Sequence, residues 1–145
     1  MRFFISGGAG VIGKEMIPKL YNLGAEVMVG DLKPKPKLFN NSIQYWQGDL
    51  NNFTLEEFNE FNPDIFIHLA ATFERSSESY EFWDENFQHN IKLSHHLMSL
   101  AKESNSLKRV IFASSYLIYS PSLYQHSKPI KIPYPLSETD KINLS

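Results

Sequence analysis

The chain has 145 residues, a formal net charge of −2 and no cysteine. This length is enough for one domain with a real hydrophobic core. The charge balance lacks the basic footprint of a nucleic-acid-binding protein, and a chain without cysteine has no disulfides or thiolate metal sites. The apolar stretch at the amino end is too short for a signal peptide or membrane span, so we expect a cytoplasmic protein without a membrane partner.

The first motif in the chain is a short apolar run that leads into a glycine-rich turn, residues 3–13 (FFISGGAGVIG). The order of residues predicts a strand, a tight turn and a helix. Gly7 permits the sharp turn, Gly10 permits close approach of the backbone to a pyrophosphate, and Gly13 permits close packing of helix on strand. The unpaired N–H groups that open the helix suit an anion. The apolar positions at helical spacing are Ile12, Met16, Leu20 and Leu23.

A glycine triplet alone also fits a turn in some other α/β protein. Here, however, an acidic residue follows at the distance expected for a dinucleotide-binding turn. The second predicted strand, residues 25–30, ends at Asp31, about 20 residues beyond the turn, where a carboxylate can accept both hydroxyl hydrogens of a ribose. The lysines at 33, 35 and 37 alternate with prolines and fit either a solvated loop or a seat for the 2′-phosphate of NADP. Because Asp31 would repel that phosphate, the sequence favours NAD over NADP.

Further strands and helices alternate along the rest of the chain. Residues 43–47 predict a third strand, and Thr54 with Glu57 forms a capping box that begins a short helix. The continuous apolar run 65–69 predicts a parallel strand buried on both faces, and residues 109–113 predict a fifth strand. A long helix is expected from about residue 79 to 104. Its predicted apolar face consists of Tyr80, Trp83, Phe87, Ile91, Leu97 and Leu100.

This alternation predicts an α/β fold, a doubly wound and mostly parallel Rossmann-type sheet that is truncated after about the fifth strand. We expect one incomplete NAD-binding domain, with a core at 1–119 and a proline-rich extended segment at 120–145. Without a sixth strand, residues 110–112 form an exposed apolar edge that favours self-association. Ligands of such sheets bind at the carboxyl ends of the strands. The candidates that meet there are Gly7 to Gly13, Asp31, Asp49, Ala70, Ala71, Ser114 and Ser115.

In order and content, these motifs resemble the NAD-dependent epimerase/dehydratase family of the extended short-chain dehydrogenase/reductases, which includes UDP-glucose 4-epimerase. The resemblance also uses 48–50 (GDL), 68–71 (HLAA), 111–115 (IFASS) through Tyr119, and 132–134 (IPY). It implies NAD as cofactor, a nucleotide-sugar substrate and a homo-oligomer. The cofactor-binding residues that it implies are Gly7, Gly10, Val11, Ile12, Gly13, Asp31, Asp49, Leu50, Leu69, Ala70, Ala71, Asn90, Ala113 and Ser114.

The resemblance assigns roles to some of these residues. Asp49 and Leu50 would meet the adenine, Ala70 and Ala71 would line the ribose and nicotinamide side, and Asn90 would lie under the active site. Ser115 corresponds to the serine that hydrogen-bonds the reacting sugar hydroxyl. No metal is expected, because no histidine pair on the long helix has the spacing of a zinc site.

The family's general base is a tyrosine with a lysine one helical turn later, beyond the proline-rich segment. The 145 residues end about where that pair is expected, so the resemblance implies the amino-terminal part of an epimerase or dehydratase, inactive by itself. Tyr124 and Lys128 have the residue types of that pair, but Pro129 disfavours a helix at Lys128. Tyr124 also precedes the segment 132–138, which the family places before its catalytic tyrosine. The alternative is a non-catalytic NAD(P)-binding module, or a shortened paralogue that acts through a partner.

Overall fold

The computed structural model describes residues 1–72, 80–115, 118, 119, 137, 139 and 142. Two compact units make up the chain, Met1–Phe112 and Ala113–Ser145. The first unit contains β1 (Arg2–Ser6), α1 (Val11–Asn22), β2 (Glu26–Asp31), β3 (Gln44–Gln47), a 3₁₀ turn (Leu50–Asn52), α2 (Leu55–Phe61), β4 (Ile65–His68), α3 (Tyr80–Asn86), a π-helix (Phe87–Lys92), α4 (Leu93–Glu103) and β5 (Arg109–Phe112). In the second unit, Tyr119 and Ile142 form an antiparallel bridge.

The five strands form one sheet in the order β3-β2-β1-β4-β5, and all four pairings are parallel. The predicted doubly wound α/β sheet is therefore confirmed. Ser6 of β1 pairs with Gly30 on one side and His68 on the other, so three strands end at the same level. The segments that leave these strands therefore start side by side.

Alternating side chains of the strands supply two hydrophobic layers, one on each face of the sheet. Phe4 and Phe66 belong to an aromatic-rich layer under α2 and α4, while Ile5 and Ile67 belong to an aliphatic layer under α1. In the aromatic layer, the rings of Phe4 and Phe53 stack with centroids 5.0 Å apart. Both faces of the central strands are buried, as parallel strands require.

Helix α1 buries only part of the face that the apolar spacing predicts: Met16 and Leu20 are partly buried against the aliphatic layer. Ile12 and Leu23 are 61% and 84% exposed, whereas Gly13 and Ile17 are buried. Gly13 lies against the backbone of Gly8 in the turn after β1, where no Cβ would fit, and this close approach orients the start of the helix. Pro18 lies inside α1 without ending it.

The predicted single long helix is interrupted by a π-helix over Phe87–Lys92. Trp83, Phe87 and Ile91 of the predicted apolar face are exposed, so that prediction is wrong for them, whereas Leu97 and Leu100 are buried as expected. A π-turn has a wider hydrogen-bond spacing than an α-helix, so the faces before and after it are not in phase. No helix among the described residues is long and apolar enough to cross a membrane.

Candidate functional site

A cleft of about 340 Å³ opens at the carboxyl ends of the strands. Its walls come from the turn after β1, the end of β2, the segment before the 3₁₀ turn, the segment after β4 and the α3–α4 region. The sequence-predicted residues that line the cleft are Gly7, Gly10, Asp31, Asp49, Leu50, Leu69, Ala70 and Ala71. The predicted residues thus come from four separate parts of the chain and meet at one place, as the doubly wound topology predicts.

The glycine turn is shaped by close backbone contacts. Gly7 has φ +72°, and a Cβ there would lie 2.5 Å from the Cα of Ala70; a Cβ on Gly13 would lie 2.1 Å from the carbonyl oxygen of Gly8. Any side chain at either place would displace backbone. Gly10 is the N-cap of α1 and contributes no side-chain hydrogen bond, and the first turn contains no acidic residue. The N–H groups that open α1 therefore suit an anion.

Asp31 connects the glycine turn to the loop that follows β2. Its Oδ2 accepts the N–H of Ala9 at 2.8 Å, and its Oδ1 accepts the N–H of Lys33 at 2.9 Å. A carboxylate offers about four lone-pair sites, so both oxygens retain acceptor capacity toward the cleft. Asp31 therefore fixes the turn and can still accept hydroxyl hydrogens from a ligand.

The three lysines after Asp31 have different environments. The ammonium of Lys35 donates to the carbonyls of Ile43 at 2.6 Å and Asn41 at 3.3 Å, so the interpretation as a wholly solvated loop is wrong for Lys35. The hydroxyl of Tyr45 donates to the carbonyl of Lys33 at 2.7 Å. Burial, with a smaller effect of the Asp31 charge, raises the pKa of Tyr45 to about 12. Lys33 lines the cleft, so it is the lysine placed to meet a ligand.

Asp49 and Leu50 form the wall next to the end of β2. The Oδ1 of Asp49 accepts the backbone and side-chain N–H groups of Asn51, both at 3.0 Å, and so caps the 3₁₀ turn. Leu50 is buried and lies against Gly30, where a Cβ would come within 2.5 Å of its side chain. A side chain at position 30 would therefore force the Leu50 side chain to move, a packing contact that the sequence does not reveal.

Asn90 lies in the π-helix and holds the segment after β4. Its Oδ1 accepts the N–H of Thr72 and its Nδ2 donates to the carbonyl of the same residue, both at 2.8 Å. The hydroxyl of Thr72 donates to Glu85 at 2.8 Å. Asn90 thus bonds both backbone groups of Thr72, as a neighbouring strand would, and so fixes the segment of the cleft wall next to Ala71. Single π-turns inside helices are frequent at functional sites.

His68 is buried at the end of β4, 2% exposed. Burial lowers its pKa to about 4, so the ring is neutral at physiological pH. Within residues 1–72, 80–115 and the few others described, no group of three or more His, Cys, Asp or Glu could hold a metal ion.

Some predicted site residues do not lie in the cleft walls, and some wall residues were not predicted. Val11, Ile12 and Gly13 form the first turn of α1. Ala113, Ser114 and Ser115 belong to the second unit and stay predictions as site residues. Tyr124 and Lys128 lie outside the described residues. Lys33, from the lysine-proline segment, and Gly48, from the 48–50 (GDL) motif, also line the cleft. The wall residues that the sequence did not indicate are Leu32, Thr72, Glu85, His89 and Leu93; they belong to no motif, and only folding brings them to the cleft.

A parallel sheet with a glycine turn after its first strand and an acidic residue at the end of its second defines a Rossmann-type α/β domain. The chain belongs to the NAD dependent epimerase/dehydratase family, whose model matches residues 3–139. It is 27% identical to a UDP-glucose 4-epimerase of Halalkalibacterium halodurans over 143 residues, which are 97% of this chain and 40% of that enzyme.

Two further comparisons agree with this membership. A probable dTDP-glucose 4,6-dehydratase of Sinorhizobium fredii is 34% identical over 83 residues, 49% of this chain and 23% of that protein. The structure of MoeE5 in complex with UDP-glucuronic acid and NAD matches with a TM-score of 0.73 at 25% identity, over 99% of this chain and 43% of MoeE5. The chain therefore spans less than half the length of these relatives.

Proposed function

We propose that the cleft binds NAD and that this chain is the cofactor-binding part of a nucleotide-sugar epimerase or dehydratase. The observation that carries this proposal is the position of Asp31, which is hydrogen-bonded to the glycine turn and lines the same cleft as Asp49 and Ala70. The NAD in the MoeE5 complex supports the same assignment.

Each part of the cofactor has a chemically matched wall. The pyrophosphate would bind at the open N–H groups of α1, which attract an anion. The adenosine ribose would donate its two hydroxyl hydrogens to Asp31. Asp49 and Leu50 would border the adenine, and Ala70 and Ala71 offer small side chains that leave room for the nicotinamide ribose.

The reaction proposed for the whole protein is hydride transfer between a sugar carbon and the nicotinamide ring, which NAD supplies when bound. Ser115 would hydrogen-bond the reacting hydroxyl and orient it. Proton removal requires a general base, a group worth roughly 10²–10⁴-fold in rate, which the resemblance assigns to a tyrosine paired with a lysine. We propose that sequence corresponding to the rest of the relatives' length supplies that pair, and that the 145-residue chain alone is inactive.

Calorimetric titration with NAD and NADP tests the cofactor assignment. We expect NAD to bind more tightly than NADP, and Asp31→Asn to weaken NAD binding roughly tenfold or more, because it removes a charged acceptor. Glu60→Gln, a charge-matched change on the exposed side of α2, should leave the affinity unchanged. Tighter binding of NADP that is lost in Lys33→Ala would reverse the preference.

Nucleotide-sugar oxidation, followed by NADH absorbance, tests the predicted inactivity. We expect no turnover from this chain with UDP-glucose or dTDP-glucose. Turnover that disappears in Tyr124→Phe would instead make Tyr124 and Lys128 a working pair, against the geometric argument from Pro129.

The second candidate is a binding module that acts through another chain. The exposed apolar strand β5, with Val110, Ile111 and Phe112 between 39% and 56% exposed, favours it, since such an edge can pair with a partner strand. A second copy of this chain is the partner that we propose first, in keeping with the expected homo-oligomer.

A further inference from the structure

Three segments of the cleft are tied together beneath its floor by one buried side chain. Ser6 ends β1 immediately before Gly7, and His68 ends β4 immediately before Leu69. Ser94 follows Leu93 at the start of α4. The Nδ1 of His68 lies 2.5 Å from the Oγ of Ser6, and its Nε2 lies 2.9 Å from the Oγ of Ser94. Both ring nitrogens are therefore used, each on a different element.

The chemistry of this bridge is complete for a neutral ring. A neutral imidazole has one donor and one acceptor nitrogen, and a serine hydroxyl can play either part. The chain of two hydrogen bonds is satisfied in either tautomer, so long as both hydroxyls point the same way along it. Ser6 is fully buried. The ring centroids of Phe66 and Phe112 lie 5.8 Å and 4.9 Å from the centroid of the imidazole. Removing the ring would leave a buried hydroxyl without this partner.

The bridge of Ser6, His68 and Ser94 lies next to a part of the cleft where backbone segments are closely packed. Ser6 and His68 are register partners of β1 and β4, and the N–H of Leu69 donates to the carbonyl of Ser6 at 3.0 Å. Just beyond these two partners, the backbone of Gly7 approaches that of Ala70 so closely that a Cβ on Gly7 would not fit. Gly7, Leu69 and Leu93, each next in sequence to a member of the bridge, all line the cleft. A small change in the spacing of these elements would therefore reach the cleft walls directly.

We propose that His68 is a positioning residue of the cleft: through Ser6 and Ser94 it sets the spacing of the glycine turn, the end of β4 and the start of α4. The expected effect on affinity rests on the proposed NAD binding, whereas the spacing itself does not, and His68 acts through these neighbours rather than by contact with a ligand. The competing interpretation is a core histidine that contributes to stability alone.

A set of substitutions separates the two interpretations, with NAD affinity measured at a temperature where every variant is folded. His68→Leu removes both contacts, His68→Asn retains a polar group near the Nδ1 position, and His68→Gln retains one near the Nε2 position. Ser94→Ala removes only the contact to α4. The matched control is Ser106→Ala, because the hydroxyl of Ser106 donates to the carbonyl of Pro63 at 2.9 Å, at the opposite end of β4.

We expect His68→Leu to weaken NAD binding roughly tenfold and Ser94→Ala roughly threefold, as the loss of about one hydrogen bond and of part of its positioning effect predicts. His68→Asn and His68→Gln should lie between the parent and His68→Leu, and Ser106→Ala should match the parent. Equal affinities for the parent and all folded His68 variants, with only the unfolding midpoint lowered, would overturn the positioning role. If His68→Leu does not fold, Ser94→Ala and His68→Gln decide.

Amide NMR spectra of the same variants make the test independent of NAD. We expect the shifts in His68→Leu to concentrate at Gly7–Gly10, Leu69–Thr72 and Leu93–Ser94, and those in Ser106→Ala to stay near Pro63. If the parent does not bind NAD, the proposed function fails, but this shift pattern still supports the positioning role. Shifts confined to the neighbours of His68 in the hydrophobic layer would overturn it.

Discussion

The two outer strands of the sheet end it in different ways. β3 has exposed polar residues at its two ends, Gln44 and Gln47, with Tyr45 and Trp46 partly buried between them. The loop before it is held by the buried side chains of Phe39 and Ile43 and by the Lys35 ammonium, which donates to two backbone carbonyls. All four residues of β5 are exposed, and three of them are apolar. An exposed apolar edge strand favours strand addition. The β5 edge therefore offers an apolar surface for further polypeptide, whereas the exposed side chains of the short β3 strand are polar.

The largest expected effect concerns association through β5. At roughly 100 μM we expect the isolated chain to self-associate, because an exposed apolar strand is a template for pairing. Ile111→Lys should shift light scattering toward monomer, since edge lysines oppose pairing. The same change at the other edge, Gln44→Lys, should have little effect. A parent chain that stays monomeric at this concentration would contradict the prediction.

The next effect concerns His68, whose ring contacts Phe112 of β5. The native state keeps this ring neutral down to its lowered pKa of about 4, whereas an unfolded histidine binds a proton near pH 6.5. Between these values the unfolded state holds the extra proton, so the free energy of unfolding falls as pH falls, by about 3 kcal/mol at most. About 2 kcal/mol of this loss falls between pH 7 and pH 5, where urea unfolding measures it.

His68→Gln provides the control for that experiment, because it cannot titrate. We expect its stability to change less between pH 7 and pH 5 than that of the parent, although it starts lower. Parallel losses in parent and variant would assign the pH dependence to other groups.

The smallest effect concerns the loop before β3. Lys35→Met keeps the apolar stem but removes the donor to Ile43 and Asn41, which should lower the free energy of unfolding by about 1–2 kcal/mol. Lys37→Met, on the exposed part of the same loop, should cost nearly nothing. Urea unfolding of the two variants compares them, and equal losses would show that the Lys35 contacts do not stabilise this loop.

The elements that sequence predicted well are those fixed by local stereochemistry. The turn at Gly7, the capping box of Thr54 and Glu57 and the ending of β2 at Asp31 each depend on a few neighbouring residues. Alternation of strands and helices then placed the cleft correctly. These features require no knowledge of distant contacts.

The features that sequence could not supply depend on tertiary packing. Ile12 and Ile17 are both apolar and both helical, and the packing of α1, with Gly13 against the backbone of Gly8, decides which is buried. The π-helix around Asn90 has no residue signal of its own; it is held by the contact with Thr72, 18 residues away. The carbonyls of Asn41 and Ile43 that accept from Lys35 likewise could not be predicted from the alternation of proline and lysine.

The two backbone hydrogen bonds of Asp31 have a consequence for how tightly any polyol is held. Ordering a free side chain on binding costs about 0.5–1.5 kcal/mol, but the Asp31 carboxylate already lies between the N–H groups of Ala9 and Lys33. Its side-chain conformation is therefore fixed before a ligand binds. A ligand diol that reaches Asp31 therefore meets an acceptor that needs no rearrangement, and most of the entropy lost on contact belongs to the ligand.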